Sequence, residues 1–431
     1  MGTRRALLRA GTVLPLLAAC APDLLGNSDT VRIGVSWSGA ELAAFRDVLA
    51  HLRPGPPIEV VPLGDDIGTA FTAAGRAAPD IVMLPQAGQV RELAADGKLR
   101  PVAEALWQVS RPDEPSRYPP YWRQLLYHRG KPYGVPFKAS AKSLVWFDRE
   151  SVERHRLGDP QRWTVADWIN RTEVLAGTPI RLFALAAADG WVLTDVFENM
   201  LLAESPRDYD ALASVTADRR WDRTAVREAL RHLGSLWGGR SALPGGTGHA
   251  LTRQFPDAVR EVFDRRTAVM VVMPDFAEPI VRRCLRHTGR TDDVVGTTWF
   301  PSVRADSPRP RIVGGDVMVV TAHAGPAVAR VVDALAAPQA PVPWIERVGG
   351  FLAPNQRTAV TYSSILRPVA GELVSHSAFD LSDRIGAVGG RDGLWRVLTD
   401  FLVEIGDAAG AVPPAIDRAV RALDEFERRR R

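Results

Sequence analysis

VRIGVSWSGAELAAFRDVLAHLRPGPPIEVVPLGDDIGTAFTAAGRAAPDIVMLPQAG, residues 31–88, is the stretch that decides the fold. It opens on a continuous apolar run, Val31–Trp37, which reads as a buried strand. Ser38-Gly39 follows, and then Leu42, Phe45, Leu49 and Leu52 recur on one helical face. Pro54-Gly55-Pro56-Pro57 breaks that helix. Ile58–Val61 reads as a second strand, Ile67–Ala78 as a helix, and Pro79–Leu84 as a third strand ending in Pro85-Gln86-Ala87-Gly88. Strands alternating with helices imply a largely parallel sheet covered by helices, an α/β architecture.

Further along, Lys142–Phe147 (KSLVWF), Ala268–Met273 (AVMVVM) and Asp316–Thr321 (DVMVVT) read as buried strands. Residues 163–237 read as helical and Trp-rich. The last 80 or so residues are mostly helical by pattern, with Leu394, Val397, Leu398, Phe401 and Leu402 on one face. No repeat at 20–50 residues is visible.

The chain has 431 residues, 46% apolar and 24% charged, as soluble globular proteins do, with 36 Gly and 33 Pro spread along it. That excludes a disordered, collagenous or multi-span membrane protein. The net charge of +4 sits at the ends, in Arg4, Arg5 and Arg9 and in the run Arg428–Arg431. The body between is slightly acidic and shows no basic stripe, so no nucleic-acid partner is expected.

Residues 1–19, with a basic stretch ahead of the apolar run Ala10–Ala19, read as an export signal; the run is too short to span a bilayer. Thr3-Arg4-Arg5-Ala6-Leu7-Leu8 resembles a twin-arginine signal, and Leu17-Ala18-Ala19-Cys20 resembles a bacterial lipobox. Cys20 is therefore the expected lipidation site, with residues 20–30 as a tether to the outer face of the cell membrane. Cys284, the other cysteine, reads as a buried helical residue with no disulfide partner.

No phosphate-binding loop, His-Glu-x-x-His or cysteine–histidine metal spacing occurs. Neither cofactor nor metal is expected, and a binding protein is favoured over an enzyme.

Several segments together resemble the extracellular solute-binding proteins of bacterial ABC importers, the maltose-binding-protein-like family that mostly takes sugars. They are Val31–Glu41, Pro79–Leu99, Tyr133–Asp148 (YGVPFKASAKSLVWFD), Asp189–Leu202, Ala268–Phe276, Gly314–Thr321 and Gly349–Asn355. The resemblance implies a two-lobed periplasmic-binding-protein fold, with a hinge of crossing strands and a C-terminal helical region. Crossings are expected near Phe137–Ala141, Val313–Asp316 and Gly349–Leu352. One lobe would hold residues 31–138 and 316–348, the other 139–315 and 349–431. It also implies a monomer that closes on a sugar or glycoside and delivers it to the transmembrane subunits of an ABC permease.

Aromatic faces stack on sugar C–H faces, and planar polar side chains pair with the hydroxyls. Trp37, Ser38 and Glu41 stand at the carboxyl end of the first strand, and Gln86 follows the third, where open α/β sheets bind ligands. Asp189 and Trp191 fall in a segment resembling a sugar-contacting stretch of the family. Phe276 follows AVMVVM where the family often has Trp. Trp395 near the last long helix, Ser140 and Lys142 at the first crossing, and Gly315, Asp316 and Phe351 at the later ones complete the candidates. Asp195 and Glu198 read as first-turn helix acids behind a Thr194 cap.

Three rival readings follow from the same residues. Lys138 and Lys142, two of only four lysines, would suit a polyol phosphate or glycerophosphodiester. Asp189, Asp195 and Glu198 would serve a lipid-anchored glycosidase with paired carboxylates. A cell-envelope protein without ligand binding is the third.

Overall fold

The computed structural model describes residues 30–72, 78–109, 114, 116–214, 219–239, 242–372, 377–406 and 409–429. The signal segment, Cys20 and the tether up to residue 29 lie outside the described residues. Among the described residues, fifteen strands run in chain order: β1 Val31–Val35, β2 Ile58–Pro62, β3 Ile81–Leu84, β4 Leu99–Arg100, β5 Tyr127–His128, β6 Lys131–Pro132, β7 Gly134–Pro136, β8 Ser140–Ala141, β9 Leu144–Asp148, β10 Arg181–Ala184, β11 Ala268–Val272, β12 Val295–Trp299, β13 Ile312–Gly314, β14 Val317–Thr321 and β15 Ala378–Phe379.

Two main sheets form the cores of two lobes. The first has the order β2-β1-β3-β14-β4, with β7 also pairing β14. The second has the order β10-β11-β9-β12. Between them lies a small sheet, β15-β13-β8. The chain leaves the first sheet through β7 and β8 and enters the second at β9. It returns from β13 to β14. A third crossing is marked by the isolated bridge Ala139–Leu352.

The first sheet is mixed, where the opening stretch alone implied a parallel one. β1 pairs β2 and β3 in parallel, but β14 is antiparallel to β3, with Met318 opposite Met83. The reason is long-range: β14 arrives from the other lobe through a crossing, not through a helix on the sheet face. β3, β11 and β14 are buried at every position, which is why they read as unbroken apolar runs.

Two strands of the second sheet escape the sequence reading. β10, RLFA, interrupts the region expected to be helical and pairs β11 in parallel. β12, VGTTW, pairs β9. Neither is an unbroken apolar run, since Arg181 heads β10 and Gly296, Thr297 and Thr298 interrupt β12. The segment expected as a helix over 67–78 begins instead as a 3₁₀ stretch, Gly64–Phe71; residues 73–77 lie outside the described ones.

Gly315 makes the β13–β14 crossing possible. Its φ is +142°, and a Cβ there would lie 2.0 Å from the Lys138 carbonyl oxygen, so only glycine fits. No helix among the described residues is long and apolar enough to cross a membrane.

Candidate functional site

The residues that close the first lobe against the crossings form one interlocked group. Trp37 follows β1 and is buried. Its indole Nε1 donates to Asp316 Oδ2 at 2.9 Å. The Lys138 ammonium lies 4.3 Å from the Trp37 ring centre, 3.9 Å from Trp344 and 5.2 Å from Phe351. It donates to Glu41 Oε1 at 2.7 Å and stands 3.7 Å from Asp316. An aromatic box thus holds a buried cation that two carboxylates neutralise. Burial raises the Asp316 pKa above the usual carboxylate range, against the pull of Lys138. Ser38 is exposed and Glu41 half-exposed beside this box. Gln86, half-buried, forms a backbone bridge with Gly315.

On the second lobe, Ser140 Oγ donates to Asp275 Oδ1 at 2.6 Å, and the Ala141 N–H to Asp275 Oδ2 at 3.0 Å. Burial pushes the Asp275 carboxyl up to about 7, although both hydrogen bonds favour the charged form. This carboxyl therefore holds a proton in the native state over a range, from about 4 to 7, where the unfolded chain has lost it. Its contribution is largest in acid and fades as pH rises through 7. Asp275→Asn is expected to cost more stability at pH 5 than at pH 8, the gap growing by up to ~1.4 kcal/mol per pH unit across that window. Urea unfolding at the two pH values checks this; an equal cost at both would contradict it.

Phe276 is next to Asp275 and half-buried. Its ring lies 5.5 Å from Trp191 and 5.7 Å from Phe255, and Trp191 lies 5.6 Å from Phe255. All three are partly exposed and mutually tilted or edge-on. The third crossing touches this cluster, since a Cβ on Gly350 would meet the Phe276 Cα at 3.4 Å. Asp189 positions the cluster: its carboxylate accepts from the Phe255 N–H at 2.6 Å. Trp395 packs where Gly190 has no side chain; a Cβ there would come within 2.6 Å of the Trp395 Cβ.

The third group surrounds Lys142. Its ammonium bonds the Asp380 carboxylate and lies 3.4 Å from Asp195 Oδ1. Asn199 Nδ2 donates to the Lys142 carbonyl at 3.0 Å. Glu198 accepts from the Leu381 and Ser382 N–H groups at 2.7 and 2.9 Å and from the Tyr209 hydroxyl at 3.1 Å. Burial pushes Asp195 up to about 7 against the Lys142 charge, and raises Glu198 and Asp383 well above the usual range. Burial acts on Asp380 in the same direction, but Lys142 overrides it and the net shift is downward. Burial alone would depress the Lys142 pKa; Asp195 and Asp380 raise it instead. Gly88, after β3 of the first lobe, packs on the Asp383 carbonyl, where a Cβ would clash at 1.5 Å. The cluster therefore reaches the contact between lobes.

Of the sequence candidates, Trp37, Glu41, Asp316 and Phe351 come together around Lys138. Asp189, Trp191, Phe276 and Trp395 gather on the second lobe. Ser140 is joined to that second group through Asp275, whereas Lys142 belongs to the acid cluster. Asp195 and Glu198 are not first-turn acids: the helix runs Gly190–Glu204, and both lie buried in its middle. The Thr194 hydroxyl donates back to the Gly190 carbonyl instead of capping. These acids are tied to Lys142 and to backbone amides, so they do not form an exposed catalytic pair. Sequence reasoning missed Phe255, Trp344, Asp275, Asp380 and Asp383. The Asp380–Asp383 spacing in DLSD is a capping pattern, visible in the Asp383 N–H to Asp380 Oδ1 bond of 3.0 Å, but nothing local ties it to Lys142. Cys284 is buried in the helix Glu278–Thr288. No group of three metal-ligating side chains occurs among the described residues.

No family model matches the chain. It is 27% identical over 405 residues to the osmoprotective compounds-binding protein GgtB of Synechocystis, covering 90% of this chain and 93% of that one. It is 24% identical over 415 residues to the alpha-glucosides-binding periplasmic protein AglE of Rhizobium meliloti, covering 92% and 88%. Among solved structures, the solute receptor AcbH, described as preferring β-D-galactopyranose, superposes with a TM-score of 0.73 at 14% identity, over 93% of this chain and 98% of that one. A chitin oligosaccharide binding protein superposes with a TM-score of 0.72 at 15% identity, over 94% and 100%. The homologues are extracellular solute-binding proteins of ABC transporters, not enzymes, and the fold is the two-lobed one of periplasmic binding proteins.

Proposed function

We propose that this chain is the sugar-binding subunit of an ABC importer, working outside the cytoplasm. The observation that carries the reading is the half-exposed trio Trp191, Phe255 and Phe276, set against the third crossing and joined through Asp275 to the first. Such rings offer apolar faces to a pyranose, while Ser38, Glu41 and Gln86 supply polar groups from the first lobe. A ligand touching both would favour closure about the crossing strands, by as much as its affinity differs between the open and closed forms. Residues 31–138 and 316–348 would move against 139–315 and 349–431. The closed form would be what the permease accepts. Cys20 would carry the lipid that holds the protein at the membrane, and the body would act as a monomer.

The ligand is a sugar or glycoside, not a phosphate ester. Both lysines near the crossings are already engaged by carboxylates of the chain, and an added anion would meet Glu41 and Asp316. The test is a thermal-shift and calorimetric screen of residues 21–431 against mono- and oligosaccharides, glycosides, polyols and glycerophosphodiesters. At 100 times Kd a ligand adds ~2.7 kcal/mol, which moves the melting midpoint measurably. Binding of a neutral sugar without its consumption is expected. Preference for a phosphodiester, or hydrolysis of a glycoside, would overturn the reading.

A further inference from the structure

A cavity of about 220 Å³ opens on the crossing strands at a place that shares no residue with the aromatic trio or the Lys138 box. Ala139 and Leu352, paired across two crossings, form its floor. The first lobe contributes Tyr121, and the segment after the third crossing contributes Thr358, Tyr362 and Ala370. Ala139 faces it while its neighbours Lys138 and Ser140 reach Glu41 and Asp275. Adjacent residues of an extended strand point to opposite sides, so the cavity lies behind the hinge as seen from those groups.

Its lining is neutral and mixed. No charged side chain among the described residues lines it. Burial raises the phenols of Tyr121 and Tyr362, so both stay protonated and able to donate. The Tyr362 hydroxyl also accepts from the Ala353 N–H at 2.9 Å. Thr358 Oγ1 is buried with no hydrogen-bond partner. That oxygen has no surface open to the cavity, so the groups that meet a ligand are the phenols of Tyr121 and Tyr362 and the amide of Gln356. The nearby charges Arg357 and Glu114 pair with each other at 2.6 Å.

We propose that this cavity is a second binding site, for a neutral hydroxyl-rich molecule between glycerol and a hexose in size. The volume equals roughly seven waters at ~30 Å³ each, below the ~300–1,000 Å³ of drug-sized sites. Aromatic and proline faces pack the carbon skeleton, and Gln356 and the phenols pair its hydroxyls. Because both lobes line it, its occupancy depends on the hinge angle, and its ligand and the cleft ligand then alter each other's affinity by the same factor.

The experiment uses the Trp191→Ala/Phe276→Ala double variant, in which the proposed cleft is disabled, so that failure of the cleft reading does not touch this one. Glycerol, glucose and myo-inositol are titrated by saturation-transfer NMR. At least one is expected to saturate in the millimolar range or tighter. Ala370→Phe, which fills the cavity, is expected to weaken it at least tenfold. Gln356→Ala, a change at an exposed side chain, is expected to weaken it severalfold with an unchanged melting midpoint, and decides the matter if Ala370→Phe does not fold. No saturable binding of any of the three, or binding that Ala370→Phe and Gln356→Ala leave unchanged, overturns the proposal.

Discussion

Lys142→Met is expected to destabilise the protein by roughly 3–5 kcal/mol at pH 8, the cost of stranding a buried charge by removing its partner. Lys142 is the cation in contact with Asp195 and Asp380, and Glu198 and Asp383 also feel its charge. Without it, four buried carboxyl groups either repel one another or take up protons. The loss should shrink as pH falls. Asp195, at about 7 even beside Lys142, then holds a proton more readily, and burial raises Glu198 and Asp383 well above the usual carboxylate range. At pH 5 the native wild type also gains less from the Lys142 pair with Asp195, so the two proteins converge. Lys142→Met/Asp380→Asn should recover part of the loss at pH 8, in a double-mutant cycle by urea unfolding. A small cost at pH 8, or one that grows in acid, would mean that the cluster is solvated.

Trp191→Ala is expected to remove most affinity for whichever sugar the screen identifies. Covering about 100 Å² of ring face at ~25 cal/mol per Å² is worth about 2.5 kcal/mol, close to a hundredfold in Kd. Trp191→Phe should retain much of it, because a smaller aromatic face remains. Phe276→Ala should lose less than Trp191→Ala, since the smaller ring covers less of a pyranose. The melting midpoint of the free protein should move little, because Trp191 is only partly buried. Calorimetry on the three variants checks the series. Unchanged affinity in Trp191→Ala would leave the trio as packing alone, and the ligand surface would have to be sought around Glu41 and Ser38.

Much of the fold was legible because its signals are local. β1, β3, β11 and β14 read as strands since each is an apolar run bounded by turn residues. β10 and β12 did not, because Arg181 heads the one and Gly296, Thr297 and Thr298 interrupt the other, so neither is an unbroken apolar run. The helix Gly190–Glu204 shows a subtler failure. Thr194 followed by Asp195 reads as a helix start, yet the helix begins four residues earlier, with Asp189 spent on the Phe255 N–H and Gly190 bare against Trp395. Nothing within a few residues encodes either contact.

The sequence by itself determined the alternation of strands and helices and the acidic character of the body. It also marked the aromatic residues at strand and helix ends, of which Trp191 and Phe276 stand in the trio. Tertiary structure alone decided what the charged and polar groups do. Lys138 meets a carboxylate 97 positions away and Lys142 one 238 positions away. Strand and helix periods are set by neighbours within about four residues. Ion pairs, buried acids and cavities depend on which distant segments the crossings bring together.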